Sequence, residues 1–99
     1  MSDYMRFIDL NRKHYILYAE DNNENRFYIA NTNPITWTSV FIEAKTYLTS
    51  RNAEFDVVCN YDNYRILRQM LDNGSITGVY LTEVTNGVET GRLKLLWIN

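Results

Sequence analysis

Asn86-Gly87, flanked by residues suited to strands, is the feature that most narrows what this chain can fold into. A two-residue hairpin loop needs a left-handed backbone at both central positions, and Asn followed by Gly supplies it at least cost. Upstream, Thr77 to Thr85 alternates apolar and polar residues as a strand does. If pairing ran on regularly from the turn, Leu81 would face Arg92 and Val79 would face Lys94. One extra residue at Gly91 instead sets Leu81 against Leu93 and Val79 against Leu95, which gathers the aliphatic set on one face. The sequence therefore predicts a hairpin with a bulge at Gly91, with Trp97 and Ile98 closing the sheet.

A second hairpin is expected nearer the N-terminus. His14 to Ala19 and Arg26 to Ala30 are rich in residues that pack on a pleated surface. The connecting Glu20 to Asn25 tolerates left-handed backbone and bonds its own turns. Ile16 and Leu17 are both apolar, so both faces of that strand should be at least partly covered. Tyr4 to Asp9 reads as a further short strand, and Asn31 to Pro34 as a turn.

The middle of the chain carries the helix signals. Ser39 can cap a helix over 40–49, where Val40, Phe41, Ala44, Tyr47 and Leu48 share one face. In Glu54 to Cys59, Phe55, Val57 and Cys59 alternate with their neighbours, which favours a strand; the rival is one long helix from Arg51 to Leu71. Asp62 can cap a helix in which Ile66, Leu67, Met70 and Leu71 form an apolar stripe, ended by Asn73-Gly74. These elements add up to one compact α+β domain over residues 1–99, a mostly antiparallel sheet with two helices in the order roughly ββαβαββ.

Charge and composition bound the function. With 10 basic and 12 acidic residues the net charge is -2, and the basic residues fall in scattered pairs: Arg12 with Lys13, Arg65 with Arg68, Arg92 with Lys94. Phosphate-gripping domains concentrate such charge, so nucleic-acid binding is disfavoured. Cys59 is the only cysteine, which excludes an intrachain disulfide and fits a reducing, cytoplasmic setting. No run approaches the ~20 apolar residues that span a bilayer, so no membrane role is expected.

Reaction chemistry has little to build on. His14 is the only histidine, so any serine or cysteine nucleophile would have to share it. Cys59 is expected to pack as a small hydrophobe in its strand. One His and one Cys fall short of a structural zinc set. Glu43-Ala44-Lys45 has the E-x-K form of some metal-dependent nucleases, but within a helix Glu43 and Lys45 would not share a face. No catalytic residue, metal site or cofactor is assigned.

Contact chemistry is better represented. Eight tyrosines in 99 residues cannot all be buried, and exposed Tyr is enriched at interfaces. Tyr61, Asp62 and Tyr64, in a loop entering a helix, form one candidate interaction cluster. Glu20, Asp21 and Glu24 form another, an acidic hairpin tip that could steer a basic partner.

Ile35-Thr36-Trp37-Thr38, followed by Glu43-Ala44-Lys45-Thr46-Tyr47 and Ser50, resembles a segment of small phage and prophage accessory proteins of unknown role. In those, a short strand ending near the Trp-Thr pair precedes the Glu-Ala-Lys step. The likeness ends after Ser50, where those proteins continue as a Glu/Lys-rich helix, and it transfers no functional residue. It implies a phage-encoded protein acting in the host cytoplasm. The leading expectation is a non-enzymatic module that binds and modulates or inhibits a host protein, such as a defence nuclease or regulator. The alternative is a nucleic-acid-binding module using sheet tyrosines and converging basic pairs. Self-association as a homo-oligomer through an exposed edge strand is compatible with either.

Overall fold

The computed structural model describes residues 13–98. Five strands, β1 (His14–Glu20), β2 (Arg26–Thr32), β3 (Ile35–Thr38), β4 (Gly78–Thr85) and β5 (Val88–Trp97), form one antiparallel sheet in the order β3-β2-β1-β4-β5. Between β3 and β4 run a 3-10 turn (Phe41–Glu43) and two helices, α1 (Ser50–Val58) and α2 (Tyr61–Asp72). The class, the antiparallel sheet and the presence of two helices are as the sequence implies, although only α2 falls where a helix was expected. The segment Tyr4 to Asp9 lies outside the described residues.

Both hairpins form. Asn86 and Gly87 take φ of 53° and 79°, the left-handed pair their turn demands. At the other hairpin Asp21 Oδ1 accepts from the N–H groups of Asn23 and Asn25, both at 2.9 Å, and Glu24 takes a positive φ of 63°. In the C-terminal hairpin Leu81 does face Leu93. The extra residue is Thr90 rather than Gly91, since Glu83 pairs with Gly91 and Val84 with Glu89. A second irregularity follows Lys94, so Val79 faces Leu96 and not Leu95.

The stretch read as helix 40–49 is not one. After the 3-10 turn the chain is extended: the Lys45 N–H donates to Ile29 O at 2.9 Å, and Tyr47 exchanges two backbone bonds with Tyr15 at 2.8 and 2.9 Å. The cause lies elsewhere in the sheet. The β1–β2 pairing runs only from Glu20↔Arg26 to Tyr18↔Tyr28, beyond which β2 turns towards β3. Residues 45–47 fill that fork and satisfy the backbone groups it leaves open, a demand that outweighs helical periodicity. β3 occupies the short strand ending at the Trp37-Thr38 pair.

Of residues 54–59, read as a strand, 54–58 belong to α1 and Cys59 is its C-terminal cap. Thr49 Oγ1 accepts from the Asn52 N–H at 3.1 Å and caps the helix. Ala53 and Val57, four apart, are buried, whereas Phe55 and Val58 are exposed. The apparent alternation is thus a helical face of small residues. Nor do 51–72 form one helix. Asn60 has extended backbone and its side chain accepts from the Asn63 N–H, which restarts the helix as α2, with Asn60 in the capping role assigned above to Asp62. Cys59, expected in a buried strand, is exposed at the end of α1.

Two apolar layers result. Leu17, Ala19, Ile29, Val79, Leu81 and Leu96 meet Ala53, Val57, Leu67 and Leu71 of the helices. On the opposite face Ile16, Tyr18, Tyr28, Tyr80 and Val84 gather with Ala44, and Phe41 packs beside them. That is why both Ile16 and Leu17 are apolar.

Candidate interaction surface

The helices leave β5 largely uncovered: nearly every residue from Val88 to Lys94 is exposed on the outer edge of the sheet. At its C-terminal end β5 runs beside α2. Tyr61, Tyr64 and Arg68 recur at i, i+3 and i+7 and so share one face of that helix. Tyr64 and Arg68 line a cleft of about 290 Å³ with Leu95, Leu96 and Trp97. The Arg68 guanidinium donates to Trp97 O at 3.3 Å, which ties the cleft's two walls together, and lies 3.9 Å from Asp72 on its own helix. Trp97 is 50% exposed and Tyr61 75% exposed.

The tyrosines separate as burial dictates. Tyr18, Tyr28, Tyr47 and Tyr80 are buried, Tyr15 is half-buried, and Tyr61 and Tyr64 remain on the surface. Of the proposed contact cluster, Tyr61, Asp62 and Tyr64 sit in the first turn of α2 rather than in a loop. Only Tyr64 lines the β5 cleft; Asp62 lines a separate polar cleft with Thr32, Asn33, Pro34, Asn60, Asn63 and Arg65. The acidic tip also divides. Glu20 is held by Arg92 at 3.2 Å and Arg26 at 3.7 Å, and Asp21 is occupied by its own turn. Only Glu24 projects without such a role. Arg68, Leu95 and Trp97 were not singled out from the sequence. The helical spacing Tyr61-Tyr64-Arg68 was the available signal, but the proximity of β5 was not.

On the sheet face away from the helices, Tyr18 and Tyr80 stack with ring centroids 5.2 Å apart, and Tyr28 meets Tyr18 edge-on. Arg26 lies 4.3 Å over the Tyr18 ring and Arg92 4.3 Å over the Tyr80 ring. Three cations, Arg26, Arg92 and Lys94, thus converge on sheet tyrosines. The charge of the two arginines is largely spoken for: Arg26 bonds Glu89 through two contacts of 2.7 and 2.9 Å, and Arg92 reaches Glu20 and the Tyr18 hydroxyl. Burial pushes the Tyr18 phenol above its ordinary value despite the Arg92 bond.

A fourth cluster ties the fork to α1. Asp56 Oδ2 accepts from the Tyr47 hydroxyl at 2.5 Å, from Thr32 Oγ1 at 3.2 Å and from Lys45 Nζ at 3.3 Å. Burial raises the Asp56 carboxyl, but these donors outweigh it and hold the group below its ordinary range. Burial, then the bond to Asp56, raises Tyr47. Lys45 of the Glu43-Ala44-Lys45 triplet is therefore part of this lock, while Glu43 turns to the Thr38 hydroxyl at 2.7 Å.

Among the described residues no three His, Cys, Asp or Glu side chains gather to hold a metal ion, and no helix is long and apolar enough to cross a membrane. His14 is buried at the start of β1. No family model, curated protein or solved structure matches the chain.

Proposed function

We propose that the protein is a non-catalytic binding module that docks on another protein through the surface where α2 meets β5. The observation that carries this reading is the cleft formed by Tyr64, Arg68 and Trp97. Trp, Tyr and Arg dominate the residues that supply binding energy at protein interfaces, because they combine large rigid area with a polar handle. Here all three line one cleft, with Tyr61 exposed on the same helix face. Monomeric domains seldom leave such groups together on the surface without a partner to cover them.

The resemblance of Ile35 to Ser50 to phage accessory proteins directs the search for that partner to host proteins, a defence nuclease or regulator among them. Weighing against the nucleic-acid alternative is the state of the sheet tyrosines. Tyr18, Tyr28 and Tyr80 are buried, and Arg26 and Arg92 already lie over Tyr18 and Tyr80, so none of these three sheet rings is free to stack on a base.

Affinity capture from host lysate tests the reading, comparing the natural chain with a Tyr64→Ala/Trp97→Ala double variant. A stoichiometric partner retained by the first and lost by the second is the expected result. Retention of nucleic acid alone, or a partner indifferent to both substitutions, would count against it.

A further inference from the structure

β5 is ten residues long and forms the outer edge of the sheet among the described residues. Among the described residues its outer backbone groups have no strand to pair with, which makes it a template for another strand. Its side chains are sorted by face. Leu93, opposite Leu81, lies on the helix side, with Leu95 packed against the core there. Arg92, opposite Thr82, and Lys94, opposite Tyr80, lie on the other side.

The two cations differ in what they already hold. Arg92 is engaged by Glu20 and the Tyr18 hydroxyl. Lys94 is exposed, lies 5.5 Å over the Tyr80 ring, and has no carboxylate within ion-pair distance among the described residues. A strand laid along residues 92–95 would therefore meet Leu93 and Leu95 on one side and Arg92 and Lys94 on the other; Glu89, further back on the cation side, is already paired with Arg26.

A second copy of this chain fits poorly in the registers that would set the leucines of the two strands against one another. Antiparallel self-pairing centred on Leu93 would set Arg92 of one copy against Lys94 of the other. Centred on Lys94, it would set the two lysines against each other. Like charges directly opposite across strands are destabilising. We infer that the outer edge of β5 takes up an extended segment of a partner protein whose side chains alternate between apolar and acidic, adding a strand to the sheet. The apolar side would lie along Leu93 and Leu95 and the acidic side along Arg92 and Lys94. This rests on the protein-binding reading above but commits to a partner of definite charge.

The test uses the full chain, labelled with ¹⁵N, and a short capped peptide alternating Glu with Val and Leu, beside its counterpart with Lys in place of Glu. The acidic peptide should shift the amide resonances of β5 and its neighbour β4, and the basic one should not. Lys94→Glu should weaken the acidic peptide roughly tenfold, the scale of one close charge pair made repulsive. Lys94→Gln, which keeps the side chain's length, should give a smaller loss in the same direction and serves if the reversal disturbs folding. Equal binding of both peptides, no response in β5, or concentration-dependent shifts of β5 without peptide would each overturn the inference. Once a natural partner is captured, its loss by Tyr64→Ala but indifference to Lys94→Glu would sink the edge proposal while leaving the cleft reading intact. Peptide binding at β5 together with no partner dependence on Tyr64 or Trp97 would do the reverse.

Discussion

The Tyr47 hydroxyl donates to Asp56 Oδ2 at 2.5 Å, joining the segment that fills the sheet's fork to the helix that covers it. Lys45 and Thr32 reach the same oxygen, so one carboxylate fixes β2, residues 45–47 and α1 together. Tyr47→Phe keeps the ring and removes one charge-assisted donor. It should lower stability by about 1–2 kcal/mol, toward the low end because Asp56 is still partly in water. Asp56→Ala strips the acceptor from three donors at once and should cost more. Urea denaturation of both variants measures the difference; equal, negligible losses would mean the cluster is ornamental.

The same cluster sets a pH dependence. The Asp56 pKa is depressed below its unfolded value of 3.8, so the folded state binds that proton less readily than the unfolded chain. Its contribution is present above that value and lost as pH falls through the depressed one. Tyr47 and Tyr18 are raised above 10.0, so their contribution is present below pH 10 and lost as pH climbs through the raised values. Melting temperature followed against pH should therefore show an acid limb that flattens in Asp56→Asn. The alkaline limb should flatten in Tyr47→Phe.

Arg26 lies over Tyr18 and bridges to Glu89 on β5, crossing the two strands between. Arg26→Ala removes a cation–π contact and leaves Glu89 with the Thr82 hydroxyl as its remaining partner. A loss of about 1 kcal/mol is expected, given that the guanidinium is partly exposed. The substitution also uncovers the outer face of Tyr18. If the sheet face were a hidden base-stacking platform, Arg26→Ala would gain retention of single-stranded DNA at low salt in a gel shift. No retention is expected for either chain.

What could be read from the sequence, and what could not, follows from the range of the forces involved. The Asn86-Gly87 turn, the Leu81–Leu93 register and the stripe of α2 are local patterns, and they formed. Helix 40–49 failed because the competing demand came from Tyr15 and Ile29, far away in sequence, whose backbone groups needed partners. Phe55, Val57 and Cys59 mimicked strand alternation because α1 buries only Ala53 and Val57 and leaves Phe55 in water. Thr49, ten residues past the expected cap at Ser39, caps the helix that does form. Of the proposed contact surface, Tyr61 and Tyr64 were legible as surplus aromatics, whereas Trp97 and Arg68 became neighbours only when β5 was laid beside α2. The acidic tip looked free because nothing in the sequence places Arg92 against Glu20.

Exposed contact residues should be dispensable for folding, which separates them from the core. Tyr61→Ala removes a side chain three-quarters in solvent and should change stability by no more than about 0.5 kcal/mol, and Trp97→Ala, half in solvent, should cost about 1 kcal/mol. Val57→Ala or Leu67→Ala, both fully buried, should cost about 1–4 kcal/mol through lost burial and a residual cavity. Partner affinity should show the opposite order. Truncating Trp97 or Tyr64 should weaken it by about 2 kcal/mol or more, as for central aromatic anchors. Calorimetry on folded variants reads binding, and thermal melts read stability. A Trp97→Ala chain that melts well below the natural one would place that ring in the scaffold instead of the interface.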